Sequence, residues 1–326
     1  MTNAAAEFYE SLQSEIETVL IGKSDVVEHL TVALLSDGHV LMEGVPGVAK
    51  TTVASLFARA TGLDVNRVQM TPDLMPADVT GTHVYNQNTG EFRLQKGPVF
   101  ANVVVADEIN RTTPKTQSAL LEAMQERTVT IQGETLDLPE PFFVVATQNP
   151  IEMEGTFELP VAQRDRFQFK LDVSLPSREE ERQLLERFDA DPELGPDAVE
   201  QVVTPEDVAD AQAVASDVFV DERVVDYILD IVEATRDSPD VDHGVSPRGA
   251  LALQRTSKAR AAIADREYVI PDDVKSLAVA ALSHRLVLST DAELSDITPR
   301  AVVEGVLDSV TPPSAEDLDV EAGSEA

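Results

Sequence analysis

Residues 44–52 read Gly44-Val45-Pro46-Gly47-Val48-Ala49-Lys50-Thr51-Thr52, and no other stretch of the 326-residue chain restricts its architecture as much. The apolar residues Val40, Leu41 and Met42 precede this loop, and a run with helical character from Val53 to Ala60 follows it. Strand, glycine-rich loop and helix in that order form the setting of a phosphate-binding loop. Glycine lets the backbone turn so that its N–H groups converge on an anion. The helix start adds partial positive charge at the same place. In such a loop Lys50 reaches the β- and γ-phosphates, and the Thr51 hydroxyl is a Mg²⁺ ligand. Ala49 stands where the general pattern has glycine; at the start of a helix it is expected to carry no strain. The plainer alternative is an ordinary turn with a lysine nearby, and the flanking strand and helix argue against it.

A phosphate loop by itself suits a kinase, a GTPase, a transporter subunit or a motor, so the other motifs must discriminate. Residues 103–106 are apolar and run into the adjacent acids Asp107 and Glu108. An acid at a strand end can hold Mg²⁺, usually through water, and its neighbour can polarise an attacking water. Residues 146–150, Ala-Thr-Gln-Asn-Pro, follow the next apolar run, and Asn149 is placed to orient that water. Residues 159–167 carry Arg164 and Arg166 around Asp165. An arginine supplied by a neighbouring subunit can stabilise a phosphoryl group in transfer. Residues 246–249, Ser-Pro-Arg-Gly, open a helix, with Arg248 in a first turn where the helix dipole disfavours a cation. That placement suggests that Arg248 faces an anion, such as a phosphate across a cleft between domains.

The apolar runs at 40–42, 103–106 and 142–146 do not alternate with polar residues, as suits strands buried on both faces of a parallel sheet. Residues 1–38 read as helices packing on this core, with Leu12, Ile16, Val19 and Leu20 on one face. A helix capped at Thr113 and opened by Pro114 lies between the second and third strands. Two alternating segments, near 80–97 and 127–138, read as hairpins with one exposed face each, turning at Asn88-Thr89-Gly90 and Gly133-Glu134. The nucleotide-binding αβα unit is thus expected over 39–175, and beyond Pro176 the strands stop. Capping signals at Ser177, Thr204, Asp221, Ser246 and Pro271 predict an all-helical second domain over 176–310, with a loop at 189–200. Residues 311–326 carry acids without a base and read as a disordered acidic tail.

Composition narrows the classes further. Acids outnumber Lys and Arg by 59 to 25, giving a net charge of −34 spread along the chain. This argues against non-specific nucleic-acid binding, which needs cations to neutralise phosphates. It also reads as adaptation to a salty cytoplasm, since such a surface repels itself unless screened. Thermal unfolding across a KCl series is expected to rise steeply into the molar range; equal stability in dilute and molar salt would refute the adaptation. There is no cysteine, hence no disulfide or thiolate metal site. The five histidines, at 29, 39, 83, 243 and 284, have no ligand spacing and read as structural or surface groups. No apolar stretch approaches a membrane span and the N-terminus lacks signal-peptide character, so a soluble cytoplasmic protein without membrane insertion is expected.

With these motifs assembled, the chain resembles the MoxR family of AAA+ ATPases. The resemblance rests on residues 44–52, 106–111, 114–126, 146–150, 159–167 and 246–251, and extends from about residue 5 to 310. Alanine before the phosphate-loop lysine is itself typical of that family. The resemblance implies a P-loop AAA+ core, a central parallel sheet flanked by helices, with a C-terminal helical lid. Residues 44–52 would be Walker A, with Lys50 and Thr51 its working side chains, and Asp107 and Glu108 would be Walker B. Asn149 would be sensor 1, Arg166 the arginine finger and Arg248 sensor 2, while Ile21 and Gly22 would contact adenine. The hairpins would be the helix-2 insert and the pre-sensor hairpin, both facing the pore of a ring. Val161 and Arg164 stand where the family has Glu and Leu, so the finger segment carries two cations. The resemblance further implies a Mg²⁺-dependent ATPase in a homo-oligomeric, hexameric ring. It would act as a chaperone on protein complexes, in maturation or in metal or cofactor insertion, with a von Willebrand factor A domain protein as partner. A nucleic-acid motor or loader is the competing class, disfavoured by the charge. A monomeric small-molecule kinase would leave Arg166 and Arg248 without roles.

Overall fold

Five short strands, each sending alternate residues to opposite sides, build the centre of the molecule. The computed structural model describes residues 2–88, 90–150, 155–191, 195 and 198–314. The chain begins with α1 (Ala4–Ile16), α2 (Ser24–Leu35), β1 (Val40–Glu43), α3 (Lys50–Ala60) and β2 (Val65–Gln69). A short α4 (Pro76–Thr80) leads into the hairpin β3 (Gly81–Asn86) and β4 (Glu91–Lys96), then β5 (Val103–Asp107) and α5 (Pro114–Glu126). A second hairpin, β6 (Thr128–Ile131) and β7 (Glu134–Asp137), precedes β8 (Phe143–Gln148), α6 (Val161–Arg164) and β9 (Phe169–Asp172). The remainder comprises α7 (Arg178–Ala190), α8 (Pro205–Asp217), α9 (Glu222–Asp237), β10 (Val241–His243), α10 (Pro247–Ile263), α11 (Pro271–Leu282), β11 (Val287–Leu288), α12 (Thr290–Leu294) and α13 (Pro299–Ser309).

The main sheet is parallel throughout, in the order β2-β5-β8-β1-β9. Val40, Met42, Val103, Val105, Phe143 and Val145 face one apolar cluster; Leu41, Val104, Ala106, Val144 and Ala146 face another. Both clusters are buried, which is why β1, β5 and β8 read as unbroken apolar runs. The edge strands β2 and β9 give no such signal and were not among the three expected runs. β2 is Val-Asn-Arg-Val-Gln with only Val68 buried, and β9 alternates inward Phe169 and Leu171 with Lys170 and Asp172. An edge strand has a partner on one side only, so its polar positions can meet solvent.

The helices begin largely where their capping residues predict. Ser177 with Glu180 and Thr204 with Asp207 form capping boxes on α7 and α8. Thr113 occupies its cap position, but its hydroxyl meets Thr116 Oγ1 at 3.3 Å instead of a backbone N–H. α1 does more than pack on the core. It touches α3, α8 and α10, and Asn3 Nδ2 donates to the Ala262 carbonyl at 3.1 Å. One apolar cluster therefore runs from the N-terminal helices over the sheet face into the C-terminal helices.

Several expectations need correction. The C-terminal part is not purely helical, because β10 and β11 form a two-stranded antiparallel ribbon beside α9. The β3–β4 hairpin has no single exposed face: Val84, Tyr85 and Phe92 are all exposed, as its outer end has no layer against it. Its expected turn includes Thr89, outside the described residues. The second hairpin does bury Val129 and Ile131, but it turns at Gln132-Gly133, where φ is 51° and 90°, and Glu134 already belongs to β7. Parts of the 189–200 loop, and residues 315–326 of the acidic tail, lie outside the described residues. His39 and His284 are buried and bonded to the Met124 and Phe167 carbonyls, and burial holds both neutral, His39 near pKa 3. No helix among the described residues is long and apolar enough to cross a membrane.

Candidate active site

β1, β5 and β8 end side by side, with Met42 registered on Thr147 and Ala106 on Ala146. Ligands of open parallel sheets collect beyond the carboxyl ends of such strands. Here those ends border a cavity of about 620 Å³ lined by residues 46–52, Asp107, Glu108, Thr147 and Asn149. Its size and mixed polarity suit a nucleotide.

The loop after β1 is shaped by two glycines. Gly47 turns at φ 86°, and a Cβ on Gly44 would collide with the Val173 carbonyl oxygen. Lys50 opens α3 and folds back to donate its Nζ to the carbonyls of Gly44 and Val45, at 2.6 and 2.9 Å. Burial lowers its pKa below the ordinary lysine value, opposed by the carboxylates of Glu108, Asp107 and Glu43. Gly44 and Val45 thus support the lysine from behind, while Pro46, Gly47, Val48, Ala49, Thr51 and Thr52 border the cavity.

Ala49 departs from its expectation. It is not the first helical residue but the cap before it, at φ 65° and ψ 19°, the left-handed region. Alanine there costs about 1 kcal/mol or more. Ala49→Gly should raise the unfolding free energy by about 1 kcal/mol, readable as a shift in denaturant midpoint.

The acids are held differently from each other. Asp107 is nearly buried; its Oδ1 accepts from the Thr51 hydroxyl at 2.7 Å and from the Thr147 hydroxyl at 3.2 Å. Its Oδ2 accepts from Arg67 Nε at 2.6 Å. Glu108 sits just past the strand at φ 57°, a left-handed backbone that turns its side chain out of the sheet. The Glu108 N–H donates to Thr147 Oγ1 at 3.0 Å, and its Oε2 accepts from Gln69 Nε2 at 2.8 Å. Arg111 Nη1 lies 3.3 Å from the same oxygen. The Thr51 hydroxyl and Asp107 carboxylate are adjacent hard oxygen donors, a set that fits Mg²⁺ held partly through water.

The apolar part of the cavity lining comes from Val19, Leu20 and Ile21 and from Leu184 and Phe188 of α7. Gly22 does not line it. It lies under the Glu180 side chain, which a Cβ on Gly22 would strike. Sequence reasoning pointed to Ile21 but missed α7, whose apolar residues reach the cavity from far along the chain. It also missed Arg67 and Gln69 of β2, which meet Asp107 and Glu108. Their only signal was a polar strand next to the acid-bearing one.

The arginines lie elsewhere. Arg166 Nη1 donates to the Leu121 carbonyl at 2.6 Å. Arg166 and Arg248 border a separate cavity of about 430 Å³ with Arg127, Arg255 and Arg285. Arg164 ends α6, half-buried. Arg248 pairs with Asp165 of its own chain, its Nη1 3.8 Å from Oδ2, because the start of α10 docks on the segment after α6.

Comparison with known proteins agrees with this geometry. Residues 39–169 match the model of the ATPase family associated with various cellular activities (AAA), and residues 233–306 match an AAA lid domain. The chain is 46% identical to the chaperone MoxR1 of Mycobacterium tuberculosis, over 92% of this chain and 81% of that protein. It is equally 46% identical to the uncharacterized protein YeaC of Bacillus subtilis, over 91% and 92% of the two. A crystal structure of a candidate ATPase from Cytophaga hutchinsonii superposes with a TM-score of 0.87 at 38% identity, covering 95% of this chain and 97% of that one. A parallel sheet with a nucleotide-sized cavity at its carboxyl end, a C-terminal helical lid and relatives of this closeness place the chain in the MoxR family of AAA+ ATPases.

Proposed function

We propose that the chain is the subunit of a ring-forming, Mg²⁺-dependent ATPase that uses hydrolysis of ATP to ADP and phosphate to remodel partner proteins. The observation that carries this reading is the convergence of Lys50, Thr51, Asp107, Glu108 and Asn149 on one cavity, with Arg166 and Arg248 on another. The purine would lie between residues 19–21 and α7, and the loop N–H groups with Lys50 would hold the phosphates. Thr51 and Asp107 would hold Mg²⁺, which when bound neutralises charge on the β- and γ-phosphate oxygens. Glu108 would draw the proton from an attacking water, and Asn149 would orient that water. With Gln69 and Arg111 on its Oε2, Glu108 is restrained by its own neighbours; turnover requires that grip to loosen. Gln69 is therefore a positioning residue for the base.

The separate arginine cavity supports action between subunits. A chain of net charge −34 gathers five arginines around one opening, a surface complementary to a neighbour's triphosphate. Arg166 is assigned as the finger and Arg248 as a second contact from the same face, moving with the lid. The core over 39–175 and the lid over 176–310 would then shift relative to each other during the cycle. Mixing two inactive variants tests this. Glu108→Gln keeps its finger, Arg166→Ala keeps its base, and joint rings should recover turnover at interfaces that combine the two. Mixtures as inactive as their parents would place Arg166 in its own chain's site or remove it from catalysis.

A hexamer, a cytoplasmic setting and a salt-adapted surface complete the proposal. The chaperone name of the mycobacterial relative supports a remodelling role; the task proposed is complex maturation or metal or cofactor insertion, with a von Willebrand factor A domain protein as partner. A pull-down in high salt with ATP and the Glu108→Gln variant, which should hold its client longest, would identify that partner.

A further inference from the structure

The carboxylate expected to serve the metal already has a cation on it. Asp107 is 3% exposed at its side chain, and both of its oxygens are bonded. The bonds are not equivalent. A threonine hydroxyl that donates to Oδ1 keeps its lone pairs, so the Thr51 contact is compatible with a metal. A guanidinium only donates, and it carries a full positive charge. Arg67 on Oδ2 therefore takes up one of the two acceptor sites there that metal-bound water would use, and its charge opposes a second cation beside it.

The placement of Arg67 is unusual for a structural arginine. It stands on the edge strand β2 with its side chain 60% exposed, where the head group of a purely solubilising arginine would extend into water. Instead it bends back to a nearly buried acid and lines the same cavity as Lys50. A carboxylate this buried is costly without a counter-charge, and Arg67 supplies one. The two hydroxyls on Oδ1 are neutral and cannot, and Lys50, which also feels the Asp107 charge, gives its hydrogen bonds to the Gly44 and Val45 carbonyls.

We propose that Arg67 is the resident counter-ion of Asp107 and gives way to Mg²⁺ when nucleotide arrives. The proposal rests on the ATPase reading above. Arg67 keeps Asp107 neutralised in the nucleotide-free chain and makes metal binding conditional. Free Mg²⁺ must displace the guanidinium unaided, whereas Mg²⁺ carried on a polyphosphate is also held by the loop and Lys50. Because β2 is an edge strand and Arg67 is exposed, the side chain can leave Oδ2 without disturbing the core.

The test is the Mg²⁺ dependence of affinity for a fluorescent N-methylanthraniloyl ADP, measured on the full chain in molar KCl. Arg67→Ala should lower the Mg²⁺ concentration at half of the metal-dependent tightening by about 3- to 10-fold, the range of a charge-assisted contact reduced by exposure. Arg67→Lys, which restores a cation, should return it toward wild type. In a chain that also carries Asp107→Asn, Arg67→Ala should no longer change the half-point. Should Arg67→Ala fail to fold, Arg67→Gln is read in the same way. A half-point unchanged or raised in the neutral variant overturns the counter-ion role. A wild-type chain that binds no ADP at any Mg²⁺ concentration would instead overturn the nucleotide reading itself.

Discussion

Glu108→Gln is expected to leave ATP binding within about 2-fold of wild type and to lower turnover by about 100-fold or more, the range for loss of a general base. The side chain keeps its size, and the amide can still meet Gln69 and remain beside Arg111. The left-handed backbone at φ 57° is unaffected, because the Glu108 N–H, not the carboxylate, meets Thr147. What is lost is the basicity, together with the negative charge that Arg111 and Lys50 feel. Fluorescent-nucleotide binding and phosphate release on the same preparation give the two numbers. Wild-type turnover in this variant would remove Glu108 from the role of base; loss of binding together with turnover would show that its charge serves nucleotide affinity instead.

The second large effect is expected far from the phosphates. Arg285 follows α11, is 5% exposed, and donates to Asp165 Oδ1 at 2.8 Å. It also donates to the carbonyls of Phe167 at 2.8 Å, Gln168 at 3.2 Å and Ala281. Burial pushes its pKa below the ordinary arginine value, and the Asp165 carboxylate pulls it back. One guanidinium thus ties the C-terminal helices to the backbone that carries Arg164 and Arg166. Arg285→Met should cost about 3–5 kcal/mol of stability, since it removes the closest donor from the half-buried Asp165 charge and a donor from three carbonyls at once. Denaturant unfolding should register this as a lower midpoint. Asp165→Asn in the same chain should recover part of the loss, because the abandoned charge is what hurts most. Additive losses in the double variant would mean that the pair is not coupled. Asp165 keeps Arg248 at 3.8 Å in either case, so the coupling is between three groups and full recovery is not expected.

The glycine-rich loop between β1 and α3, the acid pair after β5 and most helix starts were legible because each is local. Glycine at 44 and 47, lysine at 50 and adjacent acids after an apolar run carry their meaning within a few residues. Capping works in the same way: Ser177 and Glu180 bond across three positions, and no distant part of the chain is needed. Ala49 shows the limit even here. Its neighbours marked a helix start, but whether it fell on the last left-handed residue or the first helical one depended on one backbone angle.

Partners distant in sequence were not legible. Arg67 and Gln69 meet Asp107 and Glu108 because β2 pairs with β5 in register, Arg67 on Val105 and Gln69 on Asp107. Nothing in Val-Asn-Arg-Val-Gln announces that pairing, since an edge strand has no need of a continuous apolar run. The pairing of Arg248 with Asp165 was not legible either, because it follows from the docking of α10 on the segment after α6. Further apolar lining comes from α7, whose Leu184 and Phe188 remain partly exposed beside the cavity.

The chain's order of residues was enough to point to the groups proposed as a phosphate loop, a metal-type acid, a base and a set of arginines, each written in a short segment whose geometry is governed by neighbouring torsions. Which cation rests on which acid, and which arginines share an opening, came from strand register and helix docking. Those depend on packing across scores of residues, and a charge has no means of declaring its partner until the backbone has brought one within a few ångströms.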